Sequence, residues 1–455
     1  MLKKSTYDKK IVLGRDDIVK VIFIIVMITI WVYFSGIGRY VFQNADNNYR
    51  NAIFDVLVQY DWPVVNFEIL SDGALSGATG TGLIYYIGFW LPSAVIGKIF
   101  GLNAGYGFQV FWAVLGICLV YYLLCVRAKK IEVWPLLILV FFSGLDIVGW
   151  YFRNVNLFTV ENIMHLEWWV EPYQYSSMTT QLFWVFNQSI PAWLCTMLAF
   201  NQKNNRNMVL ILACCMLPST FSFVGLMFLV IFWIFSRQYK DIKRKGFGDK
   251  LYWKCWFWDT FTVQNILGGG VIGITSFLYL QSNTSATRLM EESTVGANFN
   301  NSLFKWILFL LIEIGIYGFI MYKYKKNDGL YYFVLLCLCI IPPIKVGNAG
   351  DFCMRVSIPF LFILMIMIMD VLGESKRSND KQIFLALTIA LLLGSITPLH
   401  EIARTTSSTI DRLNNKEQVF ETSIDDVRLL NGSNFAGALD DNFFFEHLAK
   451  RTWEE

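Results

Sequence analysis

Apolar residues run along this chain in blocks of roughly 15 to 22, separated by short polar loops, which is the length a helix needs to cross about 30 Å of hydrocarbon. Eleven spans fit that pattern, over residues 19–36, 107–125, 132–149, 182–200, 208–219, 220–235, 264–281, 303–322, 329–342, 356–371 and 382–398. The stretch 208–235 is too long for one helix and too short for two full spans, and Pro218-Ser219 breaks it. It is read as one span or as a helical hairpin that turns early, since irregular backbone at depth survives only against protein or water. The block Thr81 to Phe100 is also apolar, but counting it as a span inverts the side of every later loop. It is therefore predicted to be re-entrant or surface-embedded. No repeat of 20 to 50 residues is visible, so solenoids drop out.

Charge fixes the expected orientation. With that topology the inner side holds 24 Lys and Arg, in the N-terminus to Lys20 and in loops 126–131, 201–207, 236–254, 323–327 and 373–381. The outer loops before the tail hold only eight: Arg39, Arg50, Lys98, Arg153, Arg288, Lys305, Lys345 and Arg355. Short loops rich in Lys and Arg stay cytoplasmic. The expected organisation is a cytoplasmic N-terminus (1–18), a transmembrane domain (19–398) whose first external loop, 37–106, carries the embedded segment, and an external tail (399–455) in a cell membrane. The tail ends in the amphipathic FAGALDDNFFFEHLAKRTWEE and is expected to pack on the outer surface.

Composition agrees with this class and excludes others. Of 455 residues, 55% are hydrophobic and only 16% charged, with a mean hydropathy of +0.46, against about 25% charged in soluble domains. A net charge of +3, with its cations scattered through loops, does not suit nucleic acid. The nine cysteines lie mostly in or beside apolar runs with no metal-ligand spacing, and read as small apolar fillers. The first apolar run lacks a small-residue cleavage site and is read as a retained span. Fold class is thus an all-α polytopic membrane protein.

Polar chemistry collects in three outer segments. The first loop carries Asp46, Arg50, Asp55, Asp61, Glu68 and Asp72. The second, residues 151–181, adds Arg153, Glu161, His165, Glu167, Glu171 and Tyr173 around Trp168-Trp169. Aromatics beside carboxylates suit sugar recognition, because a pyranose offers C–H faces to rings and hydroxyls to acceptors; the two tryptophans alone equally suit the headgroup belt. The third, IKVGNAGDFCMR at 344–355, brings Lys345, Asp351 and Arg355 together. Such cations hold a phosphate, Arg by a bidentate fork and Lys as a point charge; alternatively Asp351 and Arg355 form only a helical ion pair. Glu313, deep in an apolar run, is expected to face the bundle interior, since acids in membranes are costly and tend to be functional.

The segments NADNNYRNAIFDVLVQYDWPVV and GLIYYIGFWLPSAVIGKIFG resemble the first external loop of the GT-C superfamily of membrane glycosyltransferases. In that superfamily the loop contains membrane-surface helices and an essential acid near its start. YQYSSMTTQLFWVFNQSIPAWL and GDFCMRVSIPFLF resemble bacterial membrane proteins of the same general type. The adjacent Asp-Glu and PPL signatures of better-known branches are absent. The resemblance implies a sugar donated from a polyprenyl phosphate to a cell-surface glycan or polymer, with Asp46 as the base that takes the acceptor's proton in an inverting displacement. Arg355 and Lys345 would meet the leaving phosphate, and Arg50, His165, Glu167, Tyr173 and Asp351 would line the substrates. No cofactor is demanded, and a divalent cation such as Mg²⁺ is left open. The competing readings are a transporter or flippase of a lipid-linked saccharide and a polysaccharide polymerase.

Overall fold

The computed structural model describes residues 14–65, 81–153, 165–281, 283, 296–297, 303–346, 350–421, 435–439 and 442–449. Glu68, Asp72, Glu161, Arg288, Asp425, Asp426, Asp440 and Asp441 lie outside the described residues. The chain is an all-α polytopic membrane protein. Among the described residues, eight helices are long and apolar enough to cross a bilayer: Arg15–Phe34, Leu102–Ala128, Trp134–Tyr151, Met178–Asn201, Thr220–Arg244, Leu303–Lys325, Ile358–Arg377 and Lys381–Asn414. Lys250–Thr260 and Gln264–Leu280, bent by 45°, make a ninth when taken as one span. Large apolar side chains such as Ile22, Val26 and Ile30 on the first helix are exposed, as lipid-facing residues are, whereas soluble proteins avoid such patches. Met178–Asn201 and Ile358–Arg377 are each 78% buried against 22% for the first helix, which makes them the centre of the bundle.

Two of the eleven expected spans are short. Residues 208–219 form only Met208–Met216, and 329–342 form Gly329–Ile340. At 1.5 Å per residue these reach about 14 and 18 Å, less than the hydrocarbon thickness. The first ends two residues before Pro218 and is packed between Met178–Asn201, Thr220–Lys245 and Gly270–Leu280, so its backbone ends face protein. In the opposite sense, the last helix outruns its expected end at 398 and continues as the amphipathic Ile396–Asn414.

The block 81–100 does not cross as one helix. It is a strand, Thr81–Leu83, a short turn, and the ten-residue helix Leu91–Phe100. Gly101, at φ +93°, separates that helix from Leu102–Ala128, a conformation that only glycine adopts freely.

Loop contacts sort the bundle into two ends. At one, Phe42 N donates to Thr409 Oγ1 at 3.0 Å, Asn51 Nδ2 donates to the Glu421 carbonyl at 2.9 Å, and Thr81–Leu83 pairs antiparallel with Ala436–Ala438 of the tail. At the other, Arg127 meets Asp370 at 2.9 Å, with Lys325 at 3.9 Å from the same acid, and Arg206 meets Asp259 at 2.7 Å. This second end carries the cation-rich loops. The expected sidedness can be read directly, because Ser407 and the native Cys255 are both exposed and lie at opposite ends. A thiol reagent that cannot cross membranes should modify Ser407→Cys in intact cells and reach Cys255 only after the membrane is opened. The reverse pattern would invert the orientation.

Candidate functional site

The helix Asn47–Gln59 is buried over most of its surface, at Asn47, Arg50, Asn51, Ala52, Ile53, Phe54, Val56 and Leu57. Asp46 precedes it and stays exposed, while Arg50, one turn on, is 6% exposed. Arg50 Nη2 donates to Asp46 Oδ2 at 3.1 Å, and Arg50 Nη1 is buried with no partner among the described residues. The short helix Asp351–Val356 supplies a second guanidinium. Arg355 pairs with Asp351 at 3.1 Å, its carbonyl accepts from Ser222 Oγ, and its Nε is likewise buried and unpartnered.

Tyr85 lies within electrostatic range of both arginines. Burial pushes its hydroxyl pKa up, and the charges of Arg355, Arg50, Asp351 and Asp46 all act on it. Burial disfavours the charge on Arg355, but Asp351, Tyr85, Tyr86 and Asp46 outweigh that and raise its pKa. Asp46 and Arg355 thus lie within electrostatic reach of each other. The tail closes over this place. The Ile84 amide donates to the Phe435 carbonyl at 2.9 Å, and the Phe435 ring packs against Tyr49 and Tyr85.

Among the described residues, the other acids of the first loop are Asp55 and Asp61. Asp55 pairs with Arg39 at 3.1 Å and accepts from the Tyr106 hydroxyl at 2.6 Å, on the opposite face of the helix from Asp46, as nine residues at 100° each require. Asp61 is exposed. Lys345 is exposed on the two-residue strand Ile344–Lys345, which pairs with Gly296–Ala297.

A second polar cluster lies deeper and is almost closed to solvent. His165, Glu167, Glu313, Asp146 and Glu401 are each 3% exposed or less. His165 Nδ1 lies 3.0 Å from Glu401 Oε1, and its Nε2 lies 3.5 Å from Glu167 Oε2. These are close ion-pair approaches rather than well-aligned hydrogen bonds. The imidazole is stacked on Trp184. Glu401 Oε2 accepts from Arg404 at 2.8 Å and from Trp184 Nε1 at 3.1 Å. Glu167 accepts from Ser177 N at 2.8 Å and from Gln174 Nε2 at 2.9 Å. Asp146 accepts from Ser143 and Thr397 at 2.8 Å. Glu313 faces the interior on a π-bulge, Leu311–Gly315, and accepts from Trp169 Nε1 at 2.9 Å.

Asp146 and Glu313 meet where helices are interrupted. The span Trp134–Tyr151 is broken at residues 142–145, and the Glu313 carboxylate lies on Gly144, whose added Cβ would fall 1.6 Å from Oε2. A side chain there would force the Glu313 carboxylate out of its place.

Both titratable groups of the loop 165–170 are raised. Burial pushes His165 down, but Glu167 and Glu401 more than reverse it, and burial lifts Glu167 to about 6. A raised His contributes stability that is full below about pH 6.5 and is lost as pH climbs through its folded value. Glu167 has the same sign, its share being full below about pH 4.5 and lost through about 6. The melting temperature should therefore fall between about pH 5 and pH 8, and His165→Gln should flatten that slope. An unchanged slope in the variant would remove His165 from the effect.

Of the sequence-predicted residues, Asp46 pairs with Arg50 and Asp351 with Arg355, and the two pairs lie within electrostatic range of each other. His165 and Glu167 belong to the deeper cluster, not to an open loop. Tyr173 is 1% exposed and packs on Phe309. Trp169, which alone suits a headgroup belt, is 4% exposed and holds Glu313. Sequence reasoning passed over Tyr85, Tyr86, Glu401 and Arg404. It also passed over Asp146, although an acid inside the span 132–149 is the same signal that singled out Glu313. Among the described residues, no three His, Cys, Asp or Glu side chains gather in a way that would hold a metal. No family model matches the chain, and no curated protein or solved structure matches it either.

Proposed function

We propose that this chain is a GT-C-like glycosyltransferase that moves a sugar from a polyprenyl phosphate to a cell-surface glycan or related polymer. In this reading the short helices Met208–Met216 and Gly329–Ile340 complete eleven passes, so that the N-terminus is cytoplasmic and the Asp46 end external. The observation that carries it is the pair of buried guanidiniums, Arg50 and Arg355, each with an unpartnered nitrogen, beside one exposed carboxylate. An unpaired buried donor costs about 1–3 kcal/mol, more when charged, and a phosphate oxygen relieves both. Lys345, exposed nearby in sequence, would meet the phosphate at longer range.

In this reading the reaction is a single displacement. The acceptor hydroxyl attacks the anomeric carbon from the side opposite the phosphate, its proton passes to Asp46, and the bond to the phosphate oxygen breaks. The leaving phosphate needs no proton, because the arginines offset the charge that develops on it. Asp46 has one oxygen held by Arg50, which orients the other. The lipid tail stays in hydrocarbon, where each buried CH₂ contributes about 0.8 kcal/mol.

Purified protein incubated with a panel of synthetic polyprenyl-phosphate sugars tests the reading. Arg355→Gln should raise the donor KM about ten- to a hundredfold, the loss of a hydrogen bond to a charged group, with less effect on kcat. An unchanged KM would remove Arg355 from the phosphate site. The Asp146 and Glu313 pair at a broken span favours the second reading, a transporter, since discontinuous helices and intramembrane acids line ion and substrate paths. Transfer in detergent, where no compartments exist, separates the two.

A further inference from the structure

Two acids that the outer site does not use face each other inside the bundle. Asp146 and Glu313 are closed to solvent, one on the span Trp134–Tyr151 and the other on Leu303–Lys325. The Glu313 carboxyl lies across Gly144 and is hydrogen-bonded to Asp146. Two ionised carboxylates offer acceptors only and repel at that range, so such a bond requires a proton on one of them. The neighbouring donors decide which. Asp146 Oδ2 accepts from both Ser143 and Thr397, at 2.8 Å each, which favours its ionised form. Glu313 Oε1 accepts from Trp169 Nε1 at 2.9 Å, whereas its Oε2 is buried and reached by no donor among the described residues. A protonated Oε2 needs no donor, because it gives its own hydrogen to Asp146.

The charges around the pair do not balance it. Glu167, on the loop packed against the Asp146 helix, adds a negative charge that acts on both acids. His165 acts on Asp146, but its ring lies between Glu401 and Glu167, and Arg404 of the last helix is held by Glu401 and Asn44. Tyr175, Tyr317 and Cys353 are neutral groups that feel Glu313. Among the described residues no Lys or Arg pairs with either acid, and an uncompensated acid inside a membrane is costly. A metal ion needs several oxygens around it, and among the described residues no third acid joins these two in a ligand set. We infer that Asp146 and Glu313 form a proton-binding site in the membrane interior, in which Glu313 Oε2 carries the proton and donates it to Asp146. The shared proton clamps the break at residues 142–145 to the π-bulge Leu311–Gly315, whatever chemistry the outer site performs.

Infrared spectroscopy of the full chain, purified in a detergent free of ester carbonyls, tests this through the C=O stretch of a protonated carboxyl, which ionised acids lack. At about pH 8 Glu167, lifted to about 6, is ionised, so a band that persists there reports the pair. That band should move down in D₂O, vanish in Glu313→Gln and remain in Asp146→Asn. Trp169→Phe removes the N–H on Oε1 and leaves the proton in place, so it should shift the band to higher wavenumber without abolishing it. That shift assigns the band to Glu313 even if Glu313→Gln fails to fold. Absence of the band at that pH, a band untouched by Glu313→Gln or by Trp169→Phe, or its loss in Asp146→Asn would each overturn the assignment. Loss of the band when sodium chloride replaces choline chloride would make the pair a metal-ion site and overturn it as well.

Discussion

Asp46→Asn should lower sugar transfer by about 10²-fold or more, the contribution of a positioned general base, while donor binding persists. Asn keeps the shape of the side chain and can still accept from Arg50, so the loss reports proton transfer rather than a collapsed loop. Asp55→Asn supplies the contrast. Its carboxylate holds Arg39 and the Tyr106 hydroxyl, which dock the helix Asn47–Gln59, so it should reduce thermal stability and affect transfer far less at a temperature where the protein is folded. Donor binding and kcat measured on the two variants decide the matter. Near-normal transfer in Asp46→Asn, with loss in Asp55→Asn or Asp61→Asn, would move the base elsewhere in the loop.

Glu401→Ala should be among the most destabilising single changes in the chain, by about 3–5 kcal/mol, the cost of breaking a buried ion pair. Glu401 is 0% exposed and is approached by His165, Arg404 and Trp184. Without it, two basic groups and an indole N–H face one another in a site closed to water. Glu401→Gln keeps hydrogen-bonding capacity and should lose less. Thermal unfolding followed in detergent gives the ordering, and wild-type stability in Glu401→Ala would show that this cluster does not hold the outer loops to the last helix. Because Arg404 also donates to Asn44, two residues before Asp46, the Ala variant should loosen the start of the first loop and lower transfer as well.

Much of the architecture was legible in the chain. Hydropathy is a local and additive property, so runs of about 20 apolar residues mark spans wherever they occur, and the first, second, third, fourth, sixth, eighth, tenth and eleventh expected spans overlie long helices in the structure. The interruption at Pro218 was readable because proline cannot donate in a helix. The helical face of 47–59 was readable because 100° per residue sets Asp55 opposite Asp46. Helix length was less accessible: Met208–Met216 and Gly329–Ile340 stop short although their hydropathy resembles that of full spans. Protein packing around a backbone end, which hydropathy does not record, permits an apolar helix to stop at depth.

By itself the sequence determined the membrane class, the segregation of cations into alternate loops and the presence of an acid just after the first span. The tertiary structure decided which charges meet. Arg50 and Arg355 both act electrostatically on Tyr85, His165 is sealed against Glu401 rather than left on a loop, and Asp146 is set beside Glu313 at a broken helix. These partners come from segments far apart in the chain. Their proximity follows from how the helices pack, because the environment that shifts or neutralises a charge is set by neighbours in space, while periodicity and composition report only neighbours in sequence.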